Sequence, residues 1–197
     1  GNIIYGSVYR KLKDVNVQGS DVDDLIVKFN DLNRIDESAD FYTKTINYNI
    51  KGKAVRALNK SLKPFGTELR NRLKTLVGGD LDQVRETIEG LGFKGNMYNE
   101  SALYEFYVKN IKGKEDADID DFESIFKNVY KDYSLSATTL VHMERSFSNR
   151  KFALDKKSTL NPNESLELQN INALRNNVMD IFKTKNKADY NSYVEFI

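Results

Sequence analysis

From residue 53 onward the apolar residues of this chain recur at intervals of three and four, and that period constrains its fold more than anything else. Val55, Leu58 and Leu62 form one series, Leu69, Leu73, Leu76 and Val77 a second, and Val84 and Ile88 a third. Leu103, Phe106, Tyr107 and Ile111 follow, then Phe122, Ile125, Phe126, Val129, Tyr130 and Tyr133, and then Leu140, Met143, Phe147 and Leu154. A last seam runs through Leu168, Ile171, Leu174, Val178 and Ile181. Each series lies on one stripe of a helix and has to be buried against a neighbour. The seam of the last helix is expected to pack inside the domain.

Starts and stops agree with this period. Thr67, Asp80, Asn99, Asp118 and Ser136 precede the series as caps, and Gly78-Gly79 and Gly90 close two of them. Asn161-Pro162-Asn163-Glu164 is the clearest start, because Asn161 caps, Pro162 needs no N–H partner there and Glu164 reaches back. The first helix is expected to end before Pro64, since a residue preceding proline is pushed out of the helical region. Polar residues 155–161, without periodicity, form the best linker candidate.

Residues 1–50 read differently. Ile3, Ile4, Tyr5, Val8 and Tyr9 suggest an extended arm or a strand. Ser20 with Asp23 opens a helix through Val22, Leu25, Ile26, Phe29 and Leu32, with acids in its first turn. Between Phe41 and Ile50, Tyr42, Ile46, Tyr48 and Ile50 alternate with Thr and Asn, which predicts a strand. The expectation is a mainly α protein, an irregular multi-helix bundle of about eight helices with a minor β element near the N-terminus. An N-terminal arm, helix and strand (1–50) would join a helical body (51–197) in one domain overall.

Composition removes several kinds of chemistry. With 197 residues the chain is long enough to bury a core without covalent staples. The absence of cysteine excludes disulfides, thiolate zinc sites and cysteine nucleophiles. His142 is the only histidine, so a His-rich metal site is not available within one chain. Mean hydropathy of −0.59 and the lack of a long apolar run argue against a membrane span. Asn2–Tyr5 is too short an apolar stretch for a secretory signal. The abundance of Asn, Lys, Ile, Tyr and Phe suits an AT-rich genome such as those of many phages and viruses, so virion or cytoplasm is the expected location.

Three motifs invite chemical readings. Gly6-Ser7 followed by Asp21-Val22-Asp23 resembles the signature of the nucleotidyltransferase family. The resemblance implies that Asp21 and Asp23 hold divalent metal ions against a nucleotide triphosphate. Asp24 stands where that family has an apolar strand residue, and residues 21–32 carry a helical period, so acids complementing a helix dipole are the preferred reading. Gly90-Leu91-Gly92-Phe93-Lys94-Gly95 spells a dinucleotide fingerprint but follows a helix instead of a strand, as a helix exit would. Asp116, Asp118 and Asp120 begin like a calcium loop, yet Asp121 and Lys127 occupy the positions where glycine and glutamate are needed. No catalytic residue, metal site or cofactor is therefore expected.

Charge is segregated. The chain carries only +1, yet residues 51–74 hold eight basic side chains against one acid, Glu68, a local charge of +7. Lys53, Arg56, Lys60 and Lys63 form a stripe opposite Val55, Leu58 and Leu62, and Arg70 and Lys74 extend it. Glu115, Asp116, Asp118, Asp120 and Asp121 form an acidic counterpart. Tyr190, Tyr193, Val194, Phe196 and Ile197 make an apolar tail suited to a partner interface. The expected role is a non-enzymatic structural or interaction subunit, of the kind found in viral or phage assemblies, with a protein partner or self-association. A nucleic-acid-binding protein using the basic face is the alternative, and a degenerate nucleotidyltransferase-like enzyme the second alternative.

Overall fold

The computed structural model describes residues 15–37, 41–114 and 122–185, with backbone alone for residues 33, 35–37, 41–53 and 185. The arm (1–14), the acidic run (115–121) and the tail (190–197) lie outside the described residues. The fold is mainly α, with seven helices among the described residues and a two-stranded antiparallel sheet. In chain order these are β1 (Asn16–Gln18), α1 (Gly19–Glu37), α2 (Phe41–Leu76), α3 (Leu81–Gly90) and α4 (Glu100–Asn110). They continue with α5 (Phe122–Lys131), β2 (Ser134–Ser136), α6 (Ala137–Asp155) and α7 (Pro162–Lys185).

Two expectations fail, both within α2. Residues 41–50 are helical, not a strand. Tyr42, Ile46 and Ile50 also stand four apart and continue through Ala54, Leu58 and Leu62, so the alternating pattern is the start of a helical stripe. The helix also runs through Pro64, which merges two expected helices and accounts for seven in place of eight. Proline inside a helix costs about 3 kcal/mol. Here Leu58 and Leu62 before it and Phe65, Leu69 and Leu73 after it are all buried, each worth roughly 1.5–3 kcal/mol. Pro64 itself is exposed, and Tyr133 Oη donates to the Ser61 carbonyl one turn earlier, at 3.4 Å. Thr67 is thus inside a helix and caps nothing.

The chain packs as two compact units, residues 1–58 with 135–197 and residues 59–134. In the first, α7 lies against both α1 and α6. Ile171, Leu174, Val178 and Ile181 are buried there, as are Val22, Leu25, Ile26, Phe29 and Leu32 of α1. Phe29 and Phe147 meet at 5.9 Å between ring centroids. The Asn161 start forms as a reciprocal box: Glu164 N–H donates to Asn161 Oδ1 at 2.8 Å, and Asn161 N–H donates to Glu164 Oε1 at 3.1 Å.

The second unit has an aromatic core. Tyr104, fully buried, has Phe65 at 5.3 Å, Tyr133 at 5.5 Å and Tyr130 at 5.6 Å, mostly edge to face. Burial pushes the Tyr133 hydroxyl well above the ordinary tyrosine range. Val84 and Ile88 of α3 add an aliphatic flank. Gly78 and Gly79, at φ of 80° and 96°, end α2 with a Gly79 N–H bond back to the Lys74 carbonyl.

Candidate anion-binding face

The outer side of α2 follows from its inner side. Burial of Leu62, Phe65, Leu69 and Leu73 leaves Lys60, Lys63, Thr67, Asn71 and Lys74 exposed. At one hundred degrees per residue, Lys60, Lys63 and Lys74 fall within about 60° of one another, and they extend for about 21 Å of helix. None of the three makes an ion pair among the described residues. Arg56, in the first unit, is likewise exposed and has no ion pair among the described residues. Lys53 lies on the same helix, described by its backbone alone.

Arg70 has a different place. Its guanidinium donates to the Met97 carbonyl at 2.9 Å and to Glu100 Oε1 at 3.3 Å, with Thr67 Oγ1 at 3.4 Å. It is therefore anchored across to the start of α4. Its Cζ also lies 4.8 Å from the centroid of the Tyr98 ring. Tyr98 is 53% exposed, and its N–H is fixed by Asn96 Oδ1 at 2.9 Å. Beside it, Asn99 caps α4 by accepting from Ala102 N–H at 3.2 Å. The structure thus brings an exposed aromatic ring to the edge of the basic stripe. The sequence of α2 holds no sign of it, because Tyr98 belongs to a loop 28 residues beyond Arg70.

Gly66 makes this arrangement fit. A Cβ placed there would come within 2.6 Å of Glu100 Cγ and 3.0 Å of an Arg70 guanidinium nitrogen. The absence of a side chain is what lets the Arg70–Glu100 pair lie against the helix.

On another flank of α2 is a cleft of about 400 Å³ whose lining includes Pro64, Phe65, Glu68, Arg72, Asp132 and Tyr133. Arg72 is paired with Glu68 at 2.7 Å, so it belongs to a local ion pair and not to the open stripe.

Asp21 lies in the first turn of α1 and Asp23 just beyond it, both on a helix and not on a strand, and Asp23 is buried. Gly90–Gly95 is the exit of α3, with Leu91 N–H bonded back to Thr87 and Ile88 carbonyls. His142 is half-buried on α6. Among the described residues no group of three His, Asp or Glu side chains gathers as a metal site would, and no helix is long and apolar enough to cross a membrane. The acidic cluster and the apolar tail lie outside the described residues. The chain matches no family model, and no curated protein or solved structure matches it at a significant level.

Proposed function

We propose that this chain is a non-enzymatic interaction subunit that docks an anionic macromolecule on the exposed basic face of α2. The observation that carries the reading is the set of three lysines, Lys60, Lys63 and Lys74, standing on one exposed stripe over a buried apolar one. Folding needs the apolar stripe and leaves the charges to a partner. Such a face steers and registers an oppositely charged surface, with a strong dependence on salt.

The test is retention on an immobilised polyanion, heparin, across a salt gradient. The wild type is expected to elute late and the Lys60→Glu, Lys63→Glu, Lys74→Glu triple variant in the flow-through, with an unchanged circular dichroism spectrum. A folded triple variant retained as strongly as the wild type would overturn the proposal.

A further inference from the structure

We infer that Tyr98, seated on Arg70, is a base-stacking platform, and that the anionic partner of this face is single-stranded nucleic acid. The inference rests on the anion-docking reading and adds a chemical class to it. A single strand offers phosphates and unpaired π-faces along one backbone, and its general binders combine a cationic track with aromatic rings. Lys60, Lys63 and Lys74 supply the track. Arg70 falls at the edge of that stripe and holds the Tyr98 ring against its guanidinium at 4.8 Å, while half of the tyrosine remains open to water.

The platform is built, not incidental. Arg70 is fixed by Met97, Glu100 and Thr67, Gly66 leaves the space for that clamp, and Asn96 and Asn99 pin the backbone on either side of the ring. An acidic protein surface would be met by the lysines alone. A duplex keeps its bases stacked inside and offers the ring no face.

The experiment measures fluorescence anisotropy of a labelled oligothymidylate, with a duplex of equal length and poly-glutamate as competitors. The wild type is expected to prefer the single strand over both. Tyr98→Ala should weaken binding by about 5- to 150-fold, the range for loss of one base–aromatic stack, and Tyr98→Phe should keep it. The slope of log affinity against log salt should stay unchanged in Tyr98→Ala and flatten in the triple lysine variant. A Tyr98→Ala protein that binds as well as wild type overturns the stacking platform, and so does equal affinity for the duplex. Displacement by poly-glutamate at equal charge makes the partner an acidic protein and also overturns it. If heparin retention is meanwhile lost in the triple variant, the anion-docking reading survives these failures.

Discussion

Arginines on α6 and α7 and basic residues on α2 carry the same charge to opposite ends. Arg150 and Glu167 are each only 3% exposed and form a bidentate pair, at 2.7 and 3.0 Å, that joins α6 to α7. Nearly two turns before Arg150 on the same helix, buried Glu144 accepts from Arg175 at 3.0 Å and from Ser148 at 2.6 Å. Charge there is consumed by the fold. On α2, Lys60, Lys63 and Lys74 face water, Arg72 pairs with Glu68 of the same helix, and Arg70 is drawn across to the start of α4. The difference teaches that charge content says little until each group is asked what its partner is. A paired and buried group specifies packing, and an unpaired exposed one is available for recognition.

The comparison breaks most visibly at Glu167. Glu167→Ala would leave the Arg150 guanidinium buried without its bidentate carboxylate, and we expect a loss of about 3–5 kcal/mol in urea unfolding. Replacing both partners, Arg150→Met with Glu167→Leu, should recover most of it; a double variant as unstable as the single one would mean the pair is more than a packing device. Gly66→Ala sharpens the other side. The added methyl meets Glu100 and Arg70, so a cost of about 1–3 kcal/mol from overpacking is expected, and no change in midpoint would show that the clamp gives way freely.

The smallest effect concerns pH. The Lys157 ammonium and the Asn161 N–H hold the Glu164 carboxyl below its ordinary value, against the opposing push of burial. A carboxylate whose pKa is depressed by folding contributes stability above its unfolded value and loses it as pH falls. The melting-temperature gap between wild type and Glu164→Gln should therefore be present at pH 7 and close as pH drops below about 4.5. A gap that is the same at both pH values would contradict the assignment.

Much of the fold was legible because helical periods and caps are local. Of the seam, Ile171, Leu174, Val178 and Ile181 are buried inside their unit and Leu168, at its start, is half-buried, and Asn161 and Glu164 cap as their order predicts. The exposure of Lys60, Lys63 and Lys74 was equally legible, since it is the complement of a buried stripe. The path through residues 41–50 was not, because alternate apolar residues of which three, Tyr42, Ile46 and Ile50, lie four apart satisfy both periods. Pro64 misled for a related reason: a local stop signal of about 3 kcal/mol is outweighed by burial on both sides that only tertiary structure supplies. Arg70 was legible as part of the basic stripe, but its anchoring and its pairing with Tyr98 were out of reach, since nothing in a run of basic residues marks the one that will be anchored to a loop far along the chain.

Pro64 also has a meaning for how the molecule comes together. A helix nucleates at a cost and then adds bonds residue by residue, and at Pro64 that sequence of bonds has a missing rung. Residues before and after it have little reason to continue one another in an isolated chain. The continuity of α2 is imposed when Phe65 enters the aromatic core and Tyr133 reaches the Ser61 carbonyl. Lys60 and Lys63 on one side and Lys74 on the other share a face only from that moment, so the recognition surface is a product of tertiary assembly and not of helical preference.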